Sequence, residues 1–265
     1  MTKTELLDKC ASGGEERLLL ARVLDKLELC RRRSIPACTP FLSPGERAAA
    51  EGLIAACGHP AHLFFGGYEG AERTVCVFLP DWLDGENWMA APDCPVAALR
   101  CTFREEDQVT HRDVLGAVMG LGITREKVGD ILVGLGQCDL LVLRELEPYL
   151  LQNLDGAGRA RLKVSPLALE DLEPPEQRRE TVRDTVSSLR LDAVAASAFK
   201  LSRGKAAELI AAGRLSLNYR ECTKPDRAVT AGDVISCRGL GKCAVREVPG
   251  LSKKGRIMIV LERYV

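Results

Sequence analysis

The sequence predicts an α+β fold: two small N-terminal α/β-type units, followed by a C-terminal unit of two helices on a small antiparallel sheet. Three observations lead to this prediction. A chain of 265 residues is long enough for two or three small domains. Helical and strand-like patterns alternate up to residue 168, where a stretch dense in charge and proline begins. Two short helical patterns and three strand-like runs then end the chain. We place the domains at 1–92, 93–168 and 181–265, with a linker at 169–180.

The first segment combines helices with a strand. Residues 15–31 carry apolar side chains at three- and four-residue steps, which predicts a helix. Ser43, Pro44 and Gly58 mark a second helix, because serine caps a first turn, proline fits the first helical position and glycine follows the end. The run TVCVFLP, residues 74–80, is rich in branched and aromatic side chains and predicts a strand.

The second segment predicts another small α+β unit. VAALRCTF (96–103) and CDLLVLREL (138–146) predict strands, of which the second could continue into a helix. Thr110 and Asp113 fit a capping box at the start of a helix. Residues 123–128 predict one more short helix.

The third segment predicts two short helices joined by about three residues. Residues 191–198 carry an apolar face, Ser202 caps the second helix and Gly213 ends it. LSLNY, residues 215–219, alternates strictly between apolar and polar side chains and predicts a strand. Two further strands are predicted at 231–239 and 255–265.

The net charge of zero conceals an uneven distribution of charge along the chain. Residues 181–265 hold 16 Lys and Arg against 8 Asp and Glu, a net charge of +8, which leaves −8 for the remainder. A basic segment of this length favours contact with nucleic acid, although a solvated basic face without a partner stays open as the alternative.

The stretch KLSRGKAAELIAAG, residues 200–213, concentrates this charge at the start of a helix. Lys200, Arg203 and Lys205 crowd the turn that Ser202 caps, where the helix dipole is already positive. Such a helix start suits a phosphate group, which the open backbone N–H groups and the bases would both bind. The candidate RNA-binding residues are Arg190, Lys200, Ser202, Arg203, Lys205, Arg214, Arg220, Lys224, Arg238 and Lys242.

Several other classes of protein are disfavoured. The eleven cysteines include no CxxC pair and are interpreted as reduced thiols. Cys57, His59 and His62 supply at most three metal ligands, so we expect no metal and no cofactor. No apolar run approaches the roughly 18 residues of a membrane span. The first 20 residues fit neither a signal nor a transit peptide, and we expect the cytoplasm.

The C-terminal pattern resembles a known family. RLD (190–192), LSR (201–203) and GDVISCRGLGK (232–242), around the glycine-ended helix, are together similar to the S-four RNA-binding domain, named after ribosomal small-subunit protein four. The resemblance implies that the helix pair and the following strand form an RNA-binding surface. SLNYRE, residues 216–221, departs from the commoner VNG-type turn of that family. The family's RNA-binding positions correspond to Arg190, Lys200, Ser202, Arg203, Lys205, Arg238 and Lys242.

Two upstream stretches extend the resemblance over nearly the whole chain. Residues 64–82, FFGGYEGAERTVCVFLPDW, and 110–133, THRDVLGAVMGLGITREKVGDILV, are similar to bacterial YlmH-like proteins. The resemblance implies an RNA-binding protein without enzymatic activity, partnered by rRNA or tRNA on the large ribosomal subunit. It also implies ribosome-associated quality control of stalled subunits carrying peptidyl-tRNA, and cell-division gene neighbourhoods.

Two other function classes stay open. One is an RNA-modifying enzyme, of the pseudouridine synthase or methyltransferase type, that the S-four module targets. Three features that such an enzyme could use have simpler explanations. Asp192 is better explained as part of the S-four helix than as a catalytic residue, and GLGITR at Gly120 lacks the third glycine of a cofactor loop. His111 does not face its near neighbour Asp113 on a helix, so the two do not form an acid–base pair. Asp130 is interpreted as a cap or turn residue. The other class is a scaffold whose acidic N-terminal part binds a basic protein.

Overall fold

The protein folds into two compact units, residues 1–175 and 176–265. The computed structural model describes residues 2–83, 85, 88, 94–174 and 179–264. Our boundary at 92/93 and the linker residues 175–178 lie outside the described residues, and the division of residues 1–180 stays a prediction. The α+β class is confirmed, with antiparallel pairing in every described sheet. The helices are α1 (Lys3–Cys10), α2 (Gly14–Arg33), α3 (Pro44–Ala56), α4 (His111–Gly120), α5 (Glu147–Asn153), α6 (Leu191–Ala198) and α7 (Arg203–Ala211).

The N-terminal unit begins with three helices against a three-stranded sheet. The helices predicted at 15–31 and after Ser43 are confirmed, and the second starts with a capping box between Ser43 and Glu46. Apolar faces of the helices pack with Cys76 and Phe78 of the central strand in one buried cluster. The strands are β1 (Ala37–Leu42), β2 (His62–Phe65) and β3 (Thr74–Phe78), in the order β1-β3-β2.

A four-stranded sheet with two helices and a small hairpin forms the rest of this unit. The capping box of Thr110 and Asp113 at the start of α4 is confirmed. Strand 137–143 continues into a 3-10 turn and then α5, as its pattern allowed. The sheet has the order β5-β6-β4-β9. The strands are β4 (Val96–Thr102), β5 (Val128–Val133), β6 (Gln137–Leu143), β7 (Gly156–Ala157), β8 (Ala160–Arg161) and β9 (Lys163–Leu167).

The predicted helix at 123–128 is wrong. Only a 3-10 turn, Arg125–Lys127, precedes β5, and Asp130 lies inside that strand. The Asp130 carboxylate accepts hydrogen bonds from the Tyr68 hydroxyl at 2.8 Å and from the backbone N–H groups of Glu72 and Arg73 at 2.7 and 3.1 Å. Asp130 therefore fixes a distant loop, 66–73, and is not a cap or turn residue of its own segment.

The C-terminal unit packs α6 and α7 on a six-stranded sheet. Its order is β10-β15-β14-β13-β11-β12, and its core includes Val194, Ile210 and Leu261. The strand predicted at 215–219 stops at Leu217, because Asn218 and Tyr219 have φ of 50° and 62° and form the two-residue turn before β12. The strands are β10 (Arg179–Val186), β11 (Leu215–Leu217), β12 (Arg220–Glu221), β13 (Val234–Cys237), β14 (Gly241–Leu251) and β15 (Ile257–Tyr264).

Candidate RNA interface

The first turn of α6 is closed by a neighbouring loop. The backbone N–H of Leu191 donates to the carbonyl of Arg227 at 2.8 Å, and that of Asp192 donates to the carbonyl of Pro225 at 3.0 Å. These N–H groups belong to the set that a helix leaves without an intrahelical acceptor. The loop already satisfies them, so this helix end offers them to no ligand.

Asp192 ties the starts of the two helices together. The residue is 5% exposed. Its carboxylate accepts two hydrogen bonds from the guanidinium of Arg203, at 3.0 and 3.2 Å, and two from that of Arg190, both at 3.3 Å. Burial alone raises the pKa of the Asp192 carboxyl, but the hydrogen bonds and charges of Arg203 and Arg190 outweigh it, so the pKa lies below its ordinary value.

We expect the helix pair to loosen in acid. Because the pKa of Asp192 is lowered by folding, its contribution to the free energy of unfolding is complete above the ordinary aspartate pKa and is lost as pH falls through the folded pKa. Hydrogen exchange of the α6 and α7 amides, corrected for intrinsic rates, should show protection that falls as the pH drops below the ordinary aspartate pKa. The Asp192→Asn variant should lack this component; an unchanged pH dependence in that variant would contradict the assignment.

The start of α7 is open, in contrast to that of α6. The Ser202 hydroxyl accepts from the backbone N–H of Lys205 at 3.2 Å, so the predicted cap is confirmed. Within the described residues, the N–H groups of Arg203 and Gly204 have no acceptor. A Cβ built on Gly204 would meet no atom within 4 Å. Two backbone donors without an acceptor therefore belong to exposed residues at the positive end of a helix dipole.

Exposed acids partly offset the bases around this helix start. The Lys200 ammonium lies 3.9 Å from a carboxylate oxygen of Glu180, and that of Lys205 lies 3.0 Å from one of Glu208. All four side chains are between 47% and 70% exposed. Such surface ion pairs contribute about 0–1 kcal/mol each. Both lysines can therefore exchange an acid for a phosphate at little cost, whereas Arg203 is held by the buried Asp192.

A groove between β10, α6 and the start of α7 adds a base that the sequence analysis missed. Lys200, Arg203 and Arg256 line it, together with Asp184 and Ser197. The Arg256 guanidinium donates to the carbonyl of Thr185 at 2.5 Å, which holds it beside β10. The base run of SKKGR, residues 252–256, was the available signal, but its position beside the helices depends on the pairing of β15 with β10.

The other candidate bases are distributed over separate places. Arg214 donates to the carbonyl of Arg238 at 3.3 Å, and this pair adjoins the C-terminal end of α7. Lys224 belongs to the loop that closes the start of α6, near Arg190. Arg220 lies on the edge strand β12. Arg214 and Arg238 therefore adjoin the end of α7 opposite to Lys200 and Lys205.

Lys242 faces away from the helices. Its neighbour Cys243 is buried in the core beneath α6 and α7, and successive side chains of a strand point to opposite faces. The Lys242 ammonium lies 5.3 Å from the ring centre of Tyr219 and 4.8 Å from that of Tyr264, within cation–π distance. This residue therefore belongs to the opposite sheet face.

The described residues contain no group of three His, Cys, Asp or Glu that could hold a metal ion. In that same part of the chain, no helix has the length and apolar character needed to cross a membrane.

Burial raises the pKa of several thiols, to about 12 for Cys76 and about 11 for Cys243. These cysteines are small buried groups, which agrees with the interpretation of the sequence.

Comparison with known families agrees with this geometry. Residues 189–235 match the S4 domain, and residues 104–171 match a family described as "Putative RNA-binding domain in YlmH". A helix pair with an open, basic N-terminus on an antiparallel sheet, within an S4 match, defines an RNA-binding protein.

The family follows from similarity over nearly the full length of the chain. "Ribosome-associated protein quality control protein P2" of Bacillus subtilis is 31% identical over 253 residues, which cover 94% of this chain and 95% of that protein. The chain belongs to the YlmH family. "Cell division protein ylmH from Streptococcus pneumoniae" shares the fold, with a TM-score of 0.51 and 21% identity over 62% of this chain and 98% of that structure.

Proposed function

We propose that this protein binds structured rRNA and tRNA on the large ribosomal subunit and acts there on stalled subunits that carry peptidyl-tRNA. The observation that carries the proposal is the open start of α7, where two backbone N–H groups stand between Lys200 and Lys205. A phosphate there would accept from the backbone and from both ammonium groups. The Bacillus subtilis relative is named as a ribosome-associated protein, which supports a ribosomal role and therefore a place in the cytoplasm, where bacterial ribosomes are found.

We further propose that the protein acts by binding and not by catalysis. Three carboxylates that could serve as acids or bases are already engaged in holding the fold. Asp192 accepts from two arginines, Asp130 fixes the loop 66–73, and Asp113 accepts from the backbone N–H of Thr110 at 2.9 Å and from its hydroxyl. A carboxylate whose acceptor sites are filled in this way is poorly placed to move a proton on a substrate.

The proposal is tested by reversing the two exposed lysines. In gradient sedimentation of bacterial lysate, we expect the native protein to travel with large ribosomal subunits, especially those that carry tRNA. A smaller fraction of the variant Lys200→Glu/Lys205→Glu should sediment with the subunits, because it loses two phosphate contacts and gains two repulsive charges. In binding titrations at several salt concentrations, the plot of log affinity against log salt should become less steep by about 2, as expected for two lost phosphate contacts.

The choice of variant and control follows from the ion pairs. Arg203 is unsuitable for reversal, because a glutamate there would face the buried Asp192 carboxylate. The matched control is Arg31→Glu/Arg32→Glu, which changes the charge equally on the exposed last turn of α2. Sedimentation of the Lys200/Lys205 variant with the subunits to the same extent as the native protein would overturn the proposed contact. A native protein that stays at the top would overturn the ribosomal role.

A further inference from the structure

A second group of bases lies at one end of the N-terminal unit. We call Arg104, Arg112, Arg159, Arg161 and Lys163 the basic end; all five are exposed. Strand pairing brings the most distant of them together. Thr102, the last residue of β4, pairs with Lys163, the first residue of β9, and Arg104 follows Thr102 by two positions.

The hairpin of β7 and β8 completes the basic end. Its turn lies against the start of α4, since a Cβ built on Gly158 would be 3.2 Å from a carboxylate oxygen of Asp113. Arg159 is the next residue of this turn, and Arg112 is the neighbour of Asp113. Ala160 and Leu162 are buried, so the alternating Arg161 and Lys163 point outward.

The bases of the basic end differ from the three other bases of residues 104–171 in their hydrogen bonds and ion pairs. Arg125 donates to the carbonyls of Val128 and Gly129, and Lys127 and Arg144 have acid partners on Glu145 and Glu147. Within the described part of the chain, the basic end has no ion pair and no side-chain hydrogen bond. Asp113 is close, but it is engaged with Thr110.

The basic end stands out because the residues around it are acidic overall. Residues 104–171 contain 8 Lys and Arg against 12 Asp and Glu, a net charge of −4. Each of the other three bases of these residues has a partner, whereas the five bases of the basic end have none in the described structure and share one end. Unpaired like charges repel each other, and an anion relieves that repulsion.

We propose that the basic end is a second RNA-contact site, which binds the phosphate backbone of structured RNA independently of the C-terminal helix pair. The inference rests on the proposed function only in taking RNA as the ligand. All five bases lie within residues 104–171, the region that matches the RNA-binding family of YlmH proteins. Two phosphate contacts on one chain raise the affinity for an RNA long enough to reach both.

The acids of the 3-10 turn Glu105–Asp107 adjoin Arg104 and would repel phosphate there. The test therefore uses Arg159 and Arg161 of the hairpin, whose replacement disturbs no hydrogen bond in the described structure. The full chain is titrated with fragmented rRNA from purified bacterial ribosomes, over about 50 to about 200 mM KCl. Circular dichroism verifies that each variant is folded.

Three double variants and one control variant separate the two sites. We expect Arg159→Glu/Arg161→Glu to weaken binding by about tenfold and to lower the salt slope by about 2. Arg159→Gln/Arg161→Gln, which adds no repulsion, should give a smaller loss with a similar fall in slope. Lys200→Glu/Lys205→Glu should weaken binding at the other site, and Arg31→Glu/Arg32→Glu should change the affinity by less than about twofold.

Each outcome decides between the two proposals. Loss only in the Lys200/Lys205 variant overturns the basic end and keeps the helix-pair contact. Loss only in the Arg159/Arg161 variants does the reverse. Equal loss in all variants, including the α2 control, would show a general effect of net charge and overturn both, as would a native chain without affinity for the fragments.

Discussion

Replacing Asp192 with alanine is expected to destabilise the C-terminal unit and to remove RNA binding through it. The change removes an acceptor of four hydrogen bonds and leaves Arg190 and Arg203 as neighbouring like charges at the helix junction. Hydrogen bonds to charged groups contribute about 1.5–3 kcal/mol each. Because both arginines are nearly half exposed and can be solvated, we expect a loss of about 2–3 kcal/mol in the free energy of unfolding. Hydrogen exchange of the α6 and α7 amides measures this loss locally.

The control for this prediction is Asp226→Ala, which removes an exposed carboxylate of the same unit and changes the net charge equally. We expect its effect to remain within about 0.5 kcal/mol. If Asp192→Ala and Asp226→Ala left α6 and α7 equally protected, the carboxylate would not be holding the helix pair. If only RNA binding fell, Asp192 would act through the orientation of Arg203 alone.

Three helix starts were predictable from the sequence because their signals are local. The capping boxes at Ser43 and Thr110 and the cap at Ser202 each involve residues three positions apart, and all three are present in the structure. The end of the second C-terminal helix was predictable for the same reason, since Gly213 has φ of 67°. No contact with another part of the chain is needed to interpret these positions.

Strands were less predictable because their partners are distant. The first residue of VGDILV (128–133) was assigned to a helix and Asp130 to a cap or turn, yet the whole stretch forms β5 by pairing with β6. β10 begins inside the predicted linker, where its polar, charged sequence gave no strand signal, and it is held along its whole length by β15. Pairing over this separation overrides local propensity.

The candidate site was predictable as a location but not as a set of bonds. The sequence placed Lys200, Arg203 and Lys205 at one helix start, and the structure places them there. It gave no sign that Arg203 is bound to Asp192 while the two lysines have only exposed partners. That difference depends on how α6 packs beside α7, and it decides which bases are available to RNA.

Replacing Gly67 with alanine is expected to destabilise the N-terminal unit strongly. Gly67 has φ of 103°, and a Cβ there would lie 2.0 Å from a methyl carbon of Leu141, which is fully buried in β6. The adjacent Gly66 is equally confined, since its Cβ would be 2.4 Å from the carbonyl oxygen of Arg73. The close approach explains the two glycines of the FFGGYEGAER motif. We expect a loss of about 3 kcal/mol in the free energy of unfolding, from overpacking and backbone strain together.

Gly70→Ala separates these two causes. Gly70 lies in the same loop with φ of 85°, but a Cβ there would meet no atom within 4 Å, so only backbone strain of about 1 kcal/mol is expected. Urea unfolding followed by tryptophan fluorescence reports on the N-terminal unit alone, because both tryptophans, Trp82 and Trp88, belong to it. Equal losses in the two variants would mean that Leu141 yields without cost. The loop 66–73, which Asp130 holds, would then leave enough room beside Leu141 for a methyl group at position 67.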